Sequence, residues 1–452
     1  MAMNTFTNIR RTLITAIALG VSSFHAHAQL VLQSAWPQCD GAVFCIAVDS
    51  ATDVVYIGGA FTSLGGQTRN HIAALNATTG SLLPWDPDAD NSVSHITVSG
   101  SLVYVGGLFA NIGGQARNRI AALDASSGNA TSWDPNADGT VRQIIVTNNA
   151  VYASGDFNNI GGQLRHHIAA LVIGNGTAIT AFDPNADGNV YGMALYGNAL
   201  YIGGFFANIG TSPRNRLAAV DRNTGVATAW NPNAGGAVLC MAINGATVYV
   251  GGFFTTVAGN ARNYIAALDA STSAATSWNP SASNGVQSIS VHGNAVYVGG
   301  LFATIGGQSR PNMASLDAIT GNATAWIPAA DAAMYACAFR GSKVYSAGGF
   351  SIINGSPRAD LAVWDDGTTG SEEIASDGPF RVWPDPSSGT IHLDISDPSA
   401  RTVGIIDALG QQVMERRFER TIDPRGLMAG TYMVLVCDDD GRIIARSRMV
   451  RE

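Results

Sequence analysis

Short apolar runs separated by turn residues fill most of this chain, and one pattern of them returns at a fixed interval. The third copy contains four strand-like runs, at 140–146, 150–157, 167–173 and 177–182, joined by turns of the kind that Asn and Gly favour. Four short antiparallel strands in a repeat of this length are typical of a propeller blade. The tyrosine of the second run recurs every 48 or 49 residues, at Tyr56, Tyr104, Tyr152, Tyr201, Tyr249, Tyr297 and Tyr345.

A second aromatic series, each member just before a proline, runs out of phase with the tyrosines. The last unit, around Tyr345, lacks a fourth run, whereas the segment 31–37 supplies one run without companions. An open stack needs polar caps, but a ring that borrows its last strand from the N-terminus hides its edge. The sequence therefore predicts an all-β fold: a seven-bladed β-propeller of four-stranded blades over 29–365, closed by the N-terminal strand. The second series is expected to pack between blades and comprises Trp36, Trp85, Trp133, Phe182, Trp230, Trp278 and Trp326.

The sequences at the two ends of the chain do not follow the repeat pattern. Residues 1–28 have the form of a signal peptide, with Arg10 and Arg11 before a short apolar core and a small-residue cleavage site. The polar segment 366–378 is interpreted as a linker. Residues 379–452 contain short strands and turns that predict a small β-sandwich. No apolar run reaches the roughly 20 residues of a membrane span, so we expect no transmembrane segment.

Three ordered motifs near the C-terminus carry a family resemblance: WPDPSSG (383–389), IIDALGQQV (405–413) and GLMAGTYMVLV (426–436). They resemble the type A C-terminal sorting domain of the type IX secretion system of the Bacteroidetes lineage. Asp385 stands where that family usually has Asn, and the tail 446–452 is rich in Arg where the family has Lys. The resemblance implies export across the outer membrane to the cell surface or medium, with the secretion machinery as partner. The implied sorting residues are Pro384, Pro386, Gly389, Asp407, Gly410, Gly430 and Tyr432.

The repeats resemble Kelch-type and uncharacterised bacterial secreted propeller repeats. The shared marks are a Gly-Gly doublet in the second strand, Ile-Ala-x-Leu-Asp in the third and Trp in the fourth. This resemblance supports the fold and names no activity, because propellers host many functions.

The amino-acid composition limits which classes of molecule this protein is expected to bind. Charged residues make up 13% of the chain, and loss of Arg10 and Arg11 with the signal peptide takes the net charge from -8 to -10. An acidic chain without a basic run is a poor candidate for nucleic-acid binding. A propeller of this size can fold without a cofactor, so we expect none, and we expect a monomer. Cys39 and Cys45 are the only close pair among five cysteines, and a disulfide between them stays open.

Arginine occupies one repeat position, thirteen residues after each tyrosine. Chain reversals place it in the loop between second and third strands, on the same rim as the acidic turn that follows each tryptophan. We favour a structural clamp from Arg to a carboxylate or carbonyl, for which a planar guanidinium is well suited. The alternative is a cationic ring that grips an anionic glycan. Arg69, Arg117 and Arg165 are ligand-binding candidates under that alternative, and Arg214, Arg262, Arg310 and Arg358 are assigned to the clamp.

Departures from the repeat are the other candidates for ligand binding. Asp156 stands where the other units carry Ala, Leu, Phe or Gly, and His166 and His167 replace pairs such as Asn-Arg. Ordinary drift on a solvated loop is the simpler explanation of all three. The acidic turn resembles the opening of a calcium loop, but position 12 counted from Asp134 is Ile145, where a bidentate Glu is required. Any weak calcium site would use Asp86, Asp88 and Asp90.

These features favour a secreted or cell-surface binding or adhesion module for a glycan or a protein. One alternative is a carbohydrate-active enzyme in the channel, with Asp156 and either Asp187 or Asp138 as paired carboxylates. Another is a purely structural surface protein. No catalytic residue is assigned, because the sequence contains no nucleophile elbow, helical metal-binding His/Glu pair or P-loop.

Overall fold

The computed structural model describes residues 30–365 and, towards the C-terminus, 381–383, 390–394, 401–406, 412–424, 426–437 and 443–451. Every regular element in these ranges is a strand. Accordingly, the described part of the chain contains no helix with the length and apolar character to cross a membrane. The predicted signal peptide, the linker and five of the sorting residues lie outside the described residues; these five are Pro384, Pro386, Gly389, Asp407 and Gly410.

Seven antiparallel sheets, here called sheets 1 to 7, follow one another along residues 43–365, and each contains three consecutive strands in the order first, second, third. The first strands are Val43–Asp49, Val93–Ser99, Val141–Val146, Val190–Tyr196, Val238–Asn244, Val286–His292 and Met334–Arg340. The second strands are Val54–Gly59, Leu102–Gly107, Val151–Gly155, Ala199–Gly204, Thr247–Gly252, Ala295–Gly300 and Lys343–Gly348. The third strands are Ile72–Asn76, Ile120–Asp124, Ile168–Leu171, Leu217–Asp221, Ile265–Asp269, Met313–Asp317 and Leu361–Asp365. This repetition of small antiparallel sheets is consistent with a β-propeller.

The predicted fourth strand is shorter in the structure than in the sequence analysis. In sheet 3, the run 177–182 makes a single bridge, between Leu171 and Ala178. Two backbone hydrogen bonds flank the bridge, and the chain then leaves the sheet so that Phe182 can be buried. Sheet 7 differs, because its fourth strand is Val31–Leu32, which pairs with Asp365 and Trp364.

A short hairpin, here called the rim hairpin, connects the second and third strands of every sheet. The turn between its two strands contains residues with positive φ, among them Gly113 and Gly114, a conformation that Gly adopts without a steric penalty. The hairpins are Ser63–Leu64 with Gln67–Thr68, Asn111–Ile112 with Gln115–Ala116, Asn159–Ile160 with Gln163–Leu164, Asn208–Ile209 with Ser212–Pro213, Thr256–Val257 with Asn260–Ala261, Thr304–Ile305 with Gln308–Ser309, and Ile352–Ile353 with Ser356–Pro357.

The two aromatic series meet in pairs within the core. Tyr249 and Trp278 have ring centroids 5.1 Å apart and planes at 81°, an edge-to-face contact found between the two series in all seven units. Each such pair contributes about 0.5–1.5 kcal/mol beyond its burial. The Trp278 indole N–H also donates to the Asp317 carbonyl of the next sheet, over 2.9 Å. The pair therefore packs and hydrogen-bonds one sheet against its neighbour.

The Gly-Gly doublet at the end of the second strand has a packing explanation. A Cβ on Gly58 would lie 2.5 Å from Cγ1 of Val93, and one on Gly251 would lie 2.5 Å from Cγ1 of Val286. In each case the valine begins the first strand of the next sheet. At Gly58 and Gly251 the neighbouring sheets approach so closely that a Cβ would displace the valine side chain, whereas sheets 3 and 7 accommodate Ser154 and Ala347 at the same repeat position.

The C-terminal segment forms two antiparallel sheets around one core. The smaller sheet contains Arg381–Trp383, Ile391–Asp394 and Thr421–Ile422. The larger contains, in spatial order, Gln412–Arg417, Thr402–Ile406, Gly430–Cys437 and Ile443–Arg451. Buried Ile391 and Leu393 of the smaller sheet share an apolar cluster with Val403 and Val434 of the larger one.

The cysteines of the propeller half are free thiols. Cys39 and Cys45, the pair left open by the sequence, are both buried and unbonded to each other. The Cys45 thiol instead faces the Gly58 carbonyl oxygen at 3.6 Å. Burial raises the pKa of both thiols, which disfavours the reactive thiolate form.

Candidate functional site

Every first strand contains a β-bulge directly after its first residue. In sheet 1, Val43 pairs with Gly59 and Cys45 pairs with Gly58, so Phe44 between them is the extra residue. A bulge leaves its extra residue out of the ladder and redirects the side chain, and bulges are common beside active sites. The seven extra residues are Phe44, Ser94, Arg142, Tyr191, Leu239, Gln287 and Tyr335.

These seven side chains line a single pocket of about 480 Å³. Leu108 and Phe205, each directly after a Gly-Gly doublet, complete the lining. The volume is in the range of small-molecule sites, about 300–1,000 Å³. The pocket thus receives one residue from every sheet, at the end where first strands begin and second strands finish.

One charged pair belongs to the pocket. The Arg142 Nε lies 2.9 Å from Asp156 Oδ1, and its Nη2 lies 2.6 Å from Oδ2, a bidentate arrangement. These hydrogen bonds raise the pKa of the Arg142 guanidinium. The same guanidinium lies over the Tyr191 ring, with Cζ 4.9 Å from its centroid. Asp156, a candidate from the sequence, therefore acts on the pocket by fixing the orientation of Arg142.

Aromatic rings form two separate contacts in the pocket. Phe44 and Tyr335 have centroids 5.8 Å apart, and Tyr191 and Phe205 meet edge to face at 5.7 Å. Gln287 adds an unsatisfied polar group, since its buried Oε1 has no hydrogen-bond partner within the described chain. A buried acceptor without a donor lowers stability.

Four exposed apolar side chains, two of which line this pocket, share one repeat position. They occupy the position after the Gly-Gly doublet, the same position that holds Asp156 in sheet 3. Large exposed apolar groups that lie together are typical of a binding surface. They are Leu108 at 44% exposure, Phe205 at 58%, Phe253 at 44% and Leu301 at 48%.

The arginine that directly follows each rim hairpin is here called a rim arginine. The seven are Arg69, Arg117, Arg165, Arg214, Arg262, Arg310 and Arg358. Arg117 donates from Nη1 to the Ala116 carbonyl oxygen at 2.7 Å and from Nη2 to that of Thr131 at 2.6 Å. Its ion pair with Asp134 is longer, at 3.7 Å. Arg69 and Arg165 have the same kind of partners, and all three side chains are at most 14% exposed.

Arg214, Arg262 and Arg310 repeat this arrangement with carbonyl acceptors in sheets 4, 5 and 6. In sheet 7 the acceptor comes from the N-terminal segment, because Arg358 Nη1 lies 3.3 Å from the Ser34 carbonyl oxygen. The geometry ties the guanidinium groups to backbone of the same rim and leaves little of them for an anionic glycan.

The acidic turn also has structural partners. Asp90 accepts hydrogen bonds from the backbone N–H groups of Ala110 and Asn111 at the neighbouring rim hairpin. Burial alone would raise the pKa of Asp90, but hydrogen bonds from Asn111 and Ala110 lower it. Asp88 accepts from Asn70 Nδ2 at 2.8 Å, and Asp86 is 3.5 Å from Arg69.

The three calcium candidates therefore have separate partners. Burial raises the pKa of Asp86, in contrast to Asp90. Within the residues that the structure describes, no group of three or more His, Cys, Asp or Glu side chains is arranged to hold a metal ion.

The two histidine candidates lie on the rim of sheet 3. His166 Nδ1 is 2.9 Å from Asn158 Oδ1, and His167 Nδ1 is 3.2 Å from the Gly155 carbonyl oxygen. Burial lowers the pKa of His167. His167 has φ of 64°, as do His71 and Arg119 at the same repeat position, so it holds a recurring backbone conformation.

The carboxylates proposed for the enzyme alternative each interact with other groups of the chain. Asp138 accepts from the backbone N–H groups of Asn158 and Asn159, and Asp187 accepts from those of Ala207 and Asn208. Asp156 is held by Arg142. Each carboxylate thus has its own partner, and two of the three are caps of rim hairpins.

Sequence reasoning identified Asp156, which holds Arg142, but missed the residues that line the pocket. A signal was present, because the residue before each bulge is Val in six sheets and Met in the seventh, whereas the bulge residue is different in almost every sheet. A repeat position that varies beside one that does not is where function is expected. The bulge itself, however, depends on pairing between strands and is not visible in the pattern.

Comparison with known families concerns both halves of the chain. Residues 381–449 match the family described as secretion system C-terminal sorting domain. This chain carries a type IX sorting domain. The protein is therefore exported to the cell surface or secreted. In the sorting domain, Gly430 begins a strand, and the buried Tyr432 donates its hydroxyl hydrogen to the Met428 carbonyl oxygen.

The repeat half matches a second family over residues 53–82, described as a domain of unknown function (DUF5122) beta-propeller. Among solved structures, one similar chain is the computationally designed Ika8 protein, with 14% identity, a TM-score of 0.46, and coverage of 73% of this chain and 98% of that one. Another, at 16% identity and a TM-score of 0.50, is from a crystal structure of the mitotic checkpoint complex, with coverage of 79% and 99%. The latter likeness concerns the fold alone. No curated protein matches the chain.

Proposed function

We propose that the repeat half is a seven-bladed β-propeller closed by Val31–Leu32, and that it is the binding module of this exported protein. The ligand enters the pocket lined by the seven bulge residues. Sheets 1 to 7 are then the blades, and the pocket is the mouth of the central channel.

Contacts between sheets 7 and 1 support the closed ring. Between ordinary neighbours, the Tyr201 hydroxyl donates to the Ala270 carbonyl oxygen of the next sheet at 2.7 Å. Between the last sheet and the first, Tyr345 makes the equivalent bond to Ala77 at 2.8 Å. Trp36 completes the contact between sheets 7 and 1, because its ring meets Tyr345 at 5.4 Å, as the Trp or Phe of the same aromatic series meets the tyrosine in every other unit.

The observation that carries the binding proposal is the convergence of seven side chains, of six residue types, on one pocket. The framework around them repeats, and a repeated framework has no structural need for a different residue in each copy. Aromatic residues and Arg are also the types enriched at binding sites. The type IX sorting domain places such a module outside the cell, where glycans and proteins are its available partners.

The proposal is tested with purified full-length protein on a glycan array and a panel of extracellular matrix proteins. Tyr191→Ala removes a pocket ring, and Tyr196→Ala is its matched control, because Tyr196 is at the other end of the same strand and 43% exposed. We expect Tyr191→Ala to abolish binding that Tyr196→Ala leaves intact. Binding that is equal in both variants, or no binding at all, would contradict the proposal and favour a structural surface protein.

A further inference from the structure

We propose that the pocket binds a neutral pyranose ring, as found at the end of a glycan chain. This inference rests on the proposed function, since it assumes a closed ring with the pocket as the binding site. It adds the chemical class of the ligand, which follows from the arrangement of apolar, polar and charged groups around the pocket.

The order of sheets around a closed ring sets which side chains face each other. Phe44 and Tyr335 come from adjoining sheets and form one aromatic corner, with centroids 5.8 Å apart. Tyr191 comes from sheet 4, on the opposite side of the ring, and is backed by Phe205. A flat ring with C–H groups on its faces can pack between two such aromatic surfaces, and a pyranose has that shape.

Polar groups occupy the two sides left between the aromatic surfaces. On one side are Ser94 and Arg142, and on the other is Gln287. Asp156 engages Nε and Nη2 of Arg142, which leaves Nη1 to donate to a ligand oxygen. The side chain of Gln287 lines the pocket and offers its amide group to a ligand hydroxyl. Hydroxyl groups around the edge of a sugar ring supply both the acceptor and the donor that these groups require.

The charge of the pocket indicates whether it would bind a neutral or an anionic sugar. Arg142 is the one charged residue among the described side chains that line the pocket, and Asp156 neutralises it. An anionic ligand would have to compete with Asp156 for Arg142. The rim arginines offer no substitute, because their guanidinium groups are bound to backbone carbonyls. The pocket therefore favours an uncharged ligand.

The test uses isothermal titration of the full-length protein with neutral hexose oligosaccharides of gluco, manno and galacto configuration. Uronic acid oligosaccharides and an apolar peptide are the comparison probes. The sugars are offered free and, in a second arm, linked to a carrier protein, so that soluble oligosaccharides and displayed glycans are distinguished. We expect a neutral sugar to bind in at least one arm, with little dependence on salt.

Two variants and one control define the mode of binding. Tyr191→Ala and Gln287→Leu are each expected to weaken the neutral sugar roughly tenfold, and Tyr196→Ala is expected to leave it unchanged. Gln287→Leu is the more specific variant, because it removes the amide group from the pocket lining and would not weaken an apolar ligand.

Other outcomes overturn the inference in distinguishable ways. Preference for uronic acids, with steep salt dependence, would refute a neutral sugar as the ligand. Binding of the peptide alone, with loss of that binding in Tyr191→Ala, would refute any sugar as the ligand. Both results would keep the pocket as a binding site. If no probe responds to Tyr191→Ala, the sugar inference and the proposed function both fail.

Discussion

The rim and the pocket lie at the same end of the seven sheets, but they use arginine in opposite ways. At the rim, Arg262 donates from both terminal nitrogens to the carbonyl oxygens of Ala261 and Thr276, at 2.9 and 2.7 Å. In the pocket, Arg142 is held by a carboxylate, and 40% of its side chain is exposed. The first arrangement recurs from sheet to sheet, and the second occurs once.

The difference follows from what the backbone offers at the two places. At the rim, carbonyl groups recur at the same positions in each sheet, so a planar donor at one repeat position is satisfied every time. At the bulge, the residue is outside the ladder, and its side chain contributes little to pairing. Repeated positions therefore stabilise the sheets, and bulge positions are free to vary.

The largest effect is expected from removal of a framework aromatic. Trp278→Ala, at a side chain 3% exposed, should lower the free energy of unfolding by about 3–5 kcal/mol. Trp36→Ala should cost as much under the proposed closure, because Trp36 is buried against Tyr345 as Trp278 is against Tyr249. Denaturant unfolding followed by fluorescence measures both. A large loss for Trp278 with almost none for Trp36 would contradict closure through the N-terminal segment.

The second-largest effect on stability is expected from Asp360, which lies where sheets 7 and 1 meet. The pKa of the Asp360 carboxyl is raised from 3.8 to about 6. Burial is the larger cause, and repulsion from Asp40 and Asp331 is the smaller one. A carboxyl whose pKa is raised on folding binds more protons in the folded state, so stability falls as pH rises from about 4 to 6. Asp360→Asn should therefore stabilise the protein by up to about 3 kcal/mol at pH 7 and by almost nothing below pH 4. Thermal or denaturant unfolding across pH measures it.

Asn312 provides the matched control for Asp360. It occupies the same repeat position in sheet 6 and donates from Nδ2 to the Ala330 carbonyl oxygen at 3.0 Å. Asn312→Asp should introduce the pH dependence that Asp360→Asn removes. Equal pH profiles for wild type and both variants would show that the position tolerates a charge and that the contact between sheets 7 and 1 is no different from other interfaces.

A smaller loss is expected at the rim. Arg262→Ala leaves the Thr276 carbonyl without its donor and should cost about 1–3 kcal/mol. Arg262→Lys should recover only part of this, because an ammonium group cannot reach both carbonyls as a planar fork does. Unfolding at low and high salt separates the explanations: carbonyl hydrogen bonds are largely insensitive to salt, and a loss that disappears in high salt would indicate an ion pair with a carboxylate.

More of the repeated sheets than of the pocket can be predicted from the sequence. The spacing of Tyr56, Tyr104 and the later tyrosines predicts a unit of short antiparallel strands, because alternation and turn residues are local signals. The fourth strand was predicted too long, since the same alternation continues to Phe182 although the chain has already left the sheet. Asp156 was recognisable as a departure from the repeat. Its partner Arg142 was not, because their contact depends on a shift in register between two strands.

The smallest effect on stability is expected at the pocket itself. Arg142→Ala and Asp156→Ala should each cost less than about 1 kcal/mol, because exposed ion pairs contribute roughly 0–1 kcal/mol. A double-mutant cycle measures their coupling, and unfolding of the same variants can be compared directly with Arg262→Ala. Binding should respond in the opposite order, with Arg142→Ala losing ligand and Arg262→Ala keeping it. If Arg142→Ala unfolded the protein as readily as Arg262→Ala, the pocket arginine would belong to the framework, and the variety of the bulge residues would need another explanation.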